Sequence, residues 1–175
     1  AMSDAELPEP ILDADSETES PAAPAPIDRS TWRTPWVQLK YFSFHPCIYA
    51  AMIRRTSPDA RAGSLVAVYD KVGKPLGTGL YNPKARVPLR VLQHGAEFAG
   101  EEMFPALLDR ALTLRLDGLR LPATTEAFRV INSDGDCLSG LMVDRFADVL
   151  SVQVHSLGVF QRLPDWLPRL HARLG

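Results

Sequence analysis

The sequence has only two cysteines, Cys47 and Cys137, in 175 residues. Two cysteines do not make a disulfide framework in a chain of this length, so we expect both to be reduced. No apolar stretch reaches the ~18 residues that a membrane-spanning helix needs. The first residues also lack the apolar core of a secretory signal. These absences predict a cytoplasmic location and no membrane partner.

Several catalytic signatures are missing as well. There is no P-loop, no zinc-ligand spacing and no Ser-His-Asp order. Two glycine-rich stretches, GKPLGTG (73–79) and DGDCLSG (134–140), do not lie in a βαβ unit and are interpreted as turns. Asp134, Asp136 and Asp144 lack the spacing of a calcium loop. We therefore predict no catalytic residue and no metal site in this chain.

Charge is distributed unevenly, although the formal net charge is only −2. Residues 1–30 hold eight acidic residues and one basic residue, whereas residues 31–94 hold ten basic and two acidic residues. Residues 95–175 are mildly acidic, with eleven acids against eight bases. A strongly basic segment beside acidic ones indicates a polyanionic partner.

The N-terminal segment is rich in Pro, Ala, Ser and acidic residues. Such a segment buries too little apolar surface to offset the entropy lost on folding. We therefore predict a disordered tail over residues 1–35 and folded regions at 36–94 and 95–175.

Residues 36–94 contain short β-like runs punctuated by Gly and Pro, which is typical of a small barrel. Gly77 and Gly79 lie inside one of these runs and indicate a bulge or a close approach of a neighbouring backbone. The rest of the chain mixes helical and strand periodicities. Its predicted elements are a helix at 101–116, a strand at 127–131, a hairpin at 140–156 and a helix that begins near Pro164 and kinks at Pro168. The predicted fold class is α+β, with a pseudo-barrel followed by a small β-β-α module.

Lysines, arginines and tyrosines are concentrated in the predicted barrel. Basic side chains neutralise phosphates and aromatic faces stack on unpaired bases, so this composition favours RNA binding. A solvated basic surface without a ligand is the alternative interpretation.

Two stretches resemble the N-terminal part of the bacterial 23S rRNA cytosine-C5 methyltransferases. The first runs from HPCIYAAMIRR (45–55) into GSLVAVYDKVGKPLGTGLYNPKARVPLRVL (63–92) and is similar to the PUA domain of that family. The second, AFRVINSDGDCLSGLMVDRFADVLSVQVHS (127–156), is the more specific. It agrees with the family pattern at Asp136, Leu138, Gly140, Leu141, Val143, Asp144, Arg145, Asp148, Leu150, Val152 and Gln153.

The resemblance covers about residues 36–175. It implies a PUA-like RNA-binding domain at 36–94 and a partial β-β-α(-β-β) domain at 95–175. In that family a Rossmann-type catalytic domain with the S-adenosylmethionine site follows, and we expect it to be absent from this chain, which is interpreted as a fragment with no cofactor of its own. The expected function is to position structured rRNA, and not DNA, for methylation of cytosine by the missing C-terminal domain.

The candidate binding residues lie in the PUA-like domain, and we expect no catalytic ones. For phosphates we select Arg54, Arg55, Lys84, Arg86 and Arg90, and for bases or sugars His45 and Tyr81. Asp144 and Arg145 are expected to form a buried pair that orders the hairpin.

The sequence departs from the family pattern at three positions. Cys47 replaces a Trp, which removes a stacking surface, while Cys137 replaces a Gly and Ser139 a Pro, which loosens a turn. Two alternatives stay open beside the methyltransferase function: a stand-alone PUA-type RNA-binding adaptor, and a protein–protein interaction domain whose basic face meets an acidic partner.

Overall fold

The computed structural model describes residues 27–175. Most of the predicted disordered tail, residues 1–26, lies outside the described residues. The described part contains nine strands and two α-helices. They are β1 (Trp36–Leu39), β2 (Cys47–Ile48), β3 (Ile53–Thr56), β4 (Ser64–Tyr69), β5 (Pro75–Tyr81), β6 (Leu89–His94), α1 (Met103–Thr113), β7 (Ala127–Asn132), β8 (Leu141–Phe146), β9 (Val149–Val154) and α2 (Leu157–Leu174).

The first six strands form one curled sheet in the order β2-β6-β5-β4-β1-β3. Strand β1 runs parallel to β4, and the other neighbours are antiparallel. A short 3-10 turn at Ala50–Met52 joins the two edge strands, β2 and β3. The inner face of the sheet is filled by buried aliphatic residues, among them Val37, Ile48 and Leu89. The predicted PUA-like pseudo-barrel is therefore confirmed.

Two glycines let β5 pack closely against β6. A Cβ atom at Gly77 would lie 2.0 Å from the carbonyl oxygen of Gln93, and one at Gly79 would lie 2.6 Å from that of Arg90. The strand register shifts between Thr78 and Gly79. Both expectations for glycines inside a strand, a bulge and a close backbone approach, are met here.

The folded part of the chain begins before residue 36. Trp32 is buried, and its ring stacks on Tyr69 with centroids 4.0 Å apart and meets Trp36 edge-on at 4.9 Å. The Tyr69 hydroxyl accepts a hydrogen bond from the backbone N–H of Arg33 at 2.9 Å. Residues 27–35, which the sequence placed in the tail, thus pack on the outside of the barrel, because their aromatic and backbone groups find partners there.

The second module consists of α1, the antiparallel sheet β7-β8-β9 and α2. Its core contains Phe104, Leu108 and Leu170, and the barrel residues Leu80 and Leu92 belong to the same cluster of buried side chains. The two modules therefore share one apolar core. This arrangement is the predicted α+β fold.

Helix α2 begins at Leu157, not near Pro164 as the sequence predicted, and Pro164 and Pro168 both lie inside it. A proline inside a helix removes one backbone hydrogen bond. The helix continues through both positions because one of its faces, which includes Val159 and Leu170, is buried in the shared core. The free energy gained by burying that face exceeds the local cost of the two prolines. The positions of the prolines in the sequence give no information on this burial.

The expected pair of Asp144 and Arg145 is wrong. Consecutive residues of a strand point to opposite faces, so these side chains do not meet. Asp144 instead binds Arg129 of the neighbouring strand through two hydrogen bonds of 2.8 and 3.1 Å. The Arg145 guanidinium donates to the carbonyl of Ala147 in the hairpin turn at 2.7 Å. Asp144 thus joins β8 to β7, and Arg145 binds the turn between β8 and β9.

Candidate nucleic-acid interface

The direction of the strands defines two ends of the barrel. Residues Lys40–His45 follow β1, and residues Asp70–Lys74 join β4 to β5. The Gln38 side-chain amide donates to the carbonyl oxygens of Asp70 and Lys71, which ties these two segments together. His94, the last residue of β6, pairs with Gly77 near the start of β5 and so lies at the same end. We call this surface, formed by 40–45, 70–74 and His94, the aromatic end.

Three aromatic rings are exposed on the aromatic end. The exposed fractions are 53% for Tyr41, 46% for Phe42 and 78% for Phe44. Phe42 meets Phe44 edge-on with centroids 4.3 Å apart, and Phe44 lies 6.0 Å from the ring of His94. A contiguous exposed apolar patch on a protein surface commonly marks a binding site. This patch presents ring faces and edges of the kind on which unpaired bases stack.

Exposed cationic side chains lie at the same end of the barrel as these rings. Lys40, Lys71 and Lys74 lie on the two loops of the aromatic end. Arg54, on the adjacent strand β3, is exposed, and its guanidinium lies 3.4 Å from the carbonyl oxygen of Lys71. None of the ion pairs among residues 27–175 involves these four side chains. Their charges are available to a polyanion.

His45 also lies on the aromatic end and is exposed. Its Nδ1 accepts a hydrogen bond of 3.0 Å from the backbone N–H of Cys47. Because Nδ1 is the acceptor, the ring proton of neutral His45 is on Nε2. The ring therefore offers one outward donor to a ligand.

The other basic residues that were predicted to bind phosphate do not all lie at the aromatic end. Lys84 and Arg86 are exposed on the turn that follows β5, about 20 Å from the aromatic end along a seven-residue strand. Arg54 and Arg55 are consecutive on β3, so their side chains leave the strand on opposite faces. Of the five predicted phosphate ligands, Arg54 is the one that lies beside the aromatic end.

The ring of Tyr81 is not exposed for stacking on a base. It is 8% exposed and belongs to the barrel core with Ile48 and Leu89. The pattern of strand β5, whose last five residues are all buried, accounts for this position. A tyrosine on a strand can point inwards or outwards, and here the ring fills the core, so a contact of Tyr81 with RNA through its hydroxyl stays a prediction.

Arg90 is half-buried between the two modules. Its Nη1 lies 3.4 Å from Sγ of Cys47 and donates to Oγ of Ser139 at 3.2 Å. Two of the three positions that depart from the family pattern thus meet on this guanidinium, and Cys137 lies on the same turn as Ser139. Arg90 therefore joins the second module to the barrel, and its contact with phosphate stays a prediction.

The aspartates considered as cation ligands do not converge. Asp136 is bound by Arg115 at 2.7 Å in a nearly buried ion pair, and Asp144 by Arg129. Within residues 27–175 no group of three or more His, Cys, Asp or Glu side chains is arranged to hold a metal ion.

The part of the chain that the structure describes contains no strand, glycine-rich turn and helix in the order of a methyl-donor site. The stretch 73–79 spans a turn and strand β5, and 134–140 lies in a turn before β8. No helix among the described residues is long and apolar enough to cross a membrane.

Sequence reasoning missed the aromatic rings of the aromatic end. The aromatic residues selected from the sequence were tyrosines of the predicted strands, whereas Phe42 and Phe44 lie in a loop. The signal was present as YFSFH at 41–45, where three aromatic residues lie close together outside any predicted strand.

Comparison with known proteins agrees with the fold. Residues 35–94 match the model of a PUA-like domain. Over 134 residues the chain is 34% identical to the ribosomal RNA large subunit methyltransferase of Deinococcus radiodurans, a match that covers 74% of this chain and 33% of that protein. Over 115 residues it is 34% identical to the ribosomal RNA large subunit methyltransferase I of Alteromonas mediterranea, covering 65% of this chain and 29% of that protein.

Among solved structures, the chain is similar to a protein described as a SAM-dependent methyltransferase from Streptococcus mutans. The TM-score is 0.58 at 15% identity, and the match covers 79% of this chain and 38% of that structure. At this identity the likeness concerns the fold alone. The chain spans about a third of the length of the curated relatives that it matches.

Proposed function

We propose that this chain, in which residues 35–94 are a PUA-like domain, is the RNA-binding region of a cytoplasmic ribosomal RNA large subunit methyltransferase. It holds structured rRNA while a catalytic domain outside these residues, which carries the S-adenosylmethionine, methylates a cytosine. The sequence similarity to ribosomal RNA large subunit methyltransferases supports the choice of rRNA.

The aromatic end is the observation that carries the proposal. It combines three exposed aromatic rings with the charges of Lys40, Arg54, Lys71 and Lys74. Phosphates bind to the cations, and unpaired bases stack on the rings. A surface that binds a folded protein would rely on a larger apolar area with few charges at its centre. The mixture found here therefore favours single-stranded or looped RNA over an acidic protein.

Lys84 and Arg86 lie at the other end of the barrel and are not part of this contact. A single unpaired loop that stacks on the aromatic end does not need them. They remain available to a flanking helix of a larger RNA, whose backbone would contribute affinity without sequence information.

A salt titration with the full chain tests the proposal. The probe is a fluorescent rRNA-derived hairpin with an unpaired loop, and an acidic peptide of equal charge is the control. If the four cations each neutralise one phosphate, log Kd should rise with log salt with a slope of about 3, at ~0.7 per phosphate of single-stranded RNA. A slope near zero, or equal affinity for the peptide and for RNA, contradicts the proposal and favours the protein–protein interaction domain.

The stand-alone adaptor differs from the methyltransferase region in what the RNA binding serves. If the chain positions RNA for methylation, its addition in excess should inhibit a methyltransferase of the similar family acting on the same RNA. An adaptor for another site should bind RNA without such competition.

A further inference from the structure

A small cleft lies where the aromatic end meets the second module. One wall is formed by Phe44, Pro46 and Val91 of the barrel, and the other by the turn that contains Asp134, Cys137 and Ser139. The cleft has a volume of about 150 Å³ and is open to solvent on one side. It therefore suits one planar group that enters from outside, not a buried ligand.

Apart from His94, the residues that form the barrel wall of the cleft are apolar or aromatic. Phe44 is 78% exposed, so most of its ring has no partner within the described residues. Phe42 supports it edge-on at 4.3 Å, which leaves the remaining ring surface towards the cleft and solvent. An aromatic side chain held in this way provides a stacking surface for one base.

The opposite wall includes one acidic residue, Asp134, whose side chain is not held by an ion pair among residues 27–175. Asp134 is exposed. Its neighbour Asp136 is fully engaged, because Arg115 and the backbone N–H of Asn132 bind its two oxygens at 2.7 and 2.6 Å. The backbone carbonyl of Asp134 accepts from Cys137, which holds the turn in place. A carboxylate in this position repels phosphate and accepts hydrogen bonds from N–H groups.

We propose that the cleft receives one unpaired guanine of the bound RNA. The base stacks on Phe44, and its N1–H and N2–H₂ groups donate to the two oxygens of the Asp134 carboxylate. Guanine is the base whose Watson–Crick edge places two donors side by side. Cytosine and adenine offer a donor beside an acceptor, and uracil a donor between two acceptors, so each would set an acceptor lone pair against the carboxylate or leave one oxygen unpaired.

This inference rests on the proposed function, because it assumes that RNA occupies the aromatic end. It adds a base preference that phosphate contacts alone cannot provide. RNA binding at the aromatic end and a guanine site in the cleft predict different results, so one experiment can reject either of them separately.

The test uses nine-nucleotide uridine RNAs with one central residue that is guanosine, inosine, adenosine or cytidine. Affinity for the full chain is measured by fluorescence anisotropy at fixed salt. We expect guanosine to bind about tenfold more tightly than adenosine or cytidine, which is the loss expected for one charge-assisted hydrogen bond. Inosine, which lacks the N2 amino group, should lose most of this advantage.

Two substitutions and two matched controls complete the test. Asp134→Asn should remove the preference for guanosine while the adenosine RNA binds as before or more tightly. Phe44→Ala should weaken all four RNAs by a similar factor. Asp148→Asn and Phe160→Ala change an exposed acid and an exposed ring that do not line the cleft, and they should have no effect.

The possible outcomes separate the two proposals. Salt-dependent binding of all four RNAs with equal affinity overturns the guanine site and leaves the RNA-binding function standing. Retention of the guanosine preference in Asp134→Asn also overturns the site. No binding to any RNA overturns both.

Discussion

Arg90 of strand β6 and Ser139 of the second module are joined by a hydrogen bond of 3.2 Å across the boundary between the two modules. Ser139 is completely buried, whereas Arg90 is half-buried. The bond places the turn of Asp134 opposite Phe44. The cleft of the aromatic end is therefore a product of how the modules pack, and it does not exist in the barrel alone.

Replacing the buried hydroxyl should loosen this boundary. We expect Ser139→Ala to lower the free energy of unfolding by about 1 kcal/mol, the usual net value of one hydrogen bond. The loss stays moderate because water can reach the half-exposed Arg90. Urea denaturation measures it, and an unchanged midpoint would show that the bond does not stabilise the fold.

Two ion pairs of the second module should differ strongly in their contribution to stability. The side chains of Arg115 and Asp136 are 11% and 9% exposed, whereas Arg129 of the Arg129–Asp144 pair is 41% exposed. Asp136→Asn leaves a buried guanidinium without its counter-charge, which costs about 3 kcal/mol or more. Asp144→Asn should cost about 1 kcal/mol or less, because the pair is partly solvated. Equal losses of unfolding free energy in the two variants, measured by thermal or urea denaturation, would contradict the expectation that burial sets the contribution of each ion pair.

The contact between the two helices should weaken in acid. The hydrogen bond from Arg169 lowers the pKa of the Asp109 carboxyl below its ordinary value of 3.8. The stabilisation from a carboxyl with a lowered pKa is present above the unfolded value and is lost as the pH falls through the folded pKa. The pair is exposed, so its contribution is below about 1 kcal/mol.

This pH dependence is measured by comparing the chain with Asp109→Asn. The difference in unfolding free energy should be constant from pH 7 to pH 5 and should disappear between pH 4 and the folded pKa. A difference that persists at pH 2 would mean that the asparagine variant is weakened by packing, not by loss of the charge.

The close approach of β5 and β6 should make Gly79 intolerant of a side chain. A Cβ atom there would lie 2.6 Å from the backbone oxygen of Arg90, so the strands would have to separate. We expect Gly79→Ala to cost about 1–3 kcal/mol, as overpacking does in a close-packed core. Gly118→Ala is the matched control, since its nearest neighbours would be 3.8 Å away. A similar effect of both substitutions on the melting temperature would rule out the proposed cause.

Sequence patterns determine most of this fold, since periodicity and glycine positions report directly on backbone geometry. The strands of the barrel, the close approach at Gly77 and Gly79 and the hairpin of β8 and β9 follow from local signals. The start of α2 does not, because it depends on burial of one helix face against residues far away in the chain.

The candidate site was harder to predict for a related reason. Whether Tyr81 points inwards, or whether Arg54 and Lys84 lie at the same end, is decided by strand register and by the curl of the sheet. The rings of Phe42 and Phe44 form part of a candidate site only because the fold places the loop 40–45 beside His94. Composition shows which chemical groups a protein can present, but it does not show which residues lie on the same surface.

The comparison of two matched double variants tests the central claim, that RNA binds at the aromatic end. Lys40→Gln with Lys71→Gln removes two charges at that end, and Lys84→Gln with Arg86→Gln removes two at the other. At 0.15 M salt, loss of two phosphate contacts should weaken binding of a short single-stranded RNA about tenfold. The account predicts that loss for the first variant and less than a threefold change for the second. The reverse order, or equal losses, would contradict it.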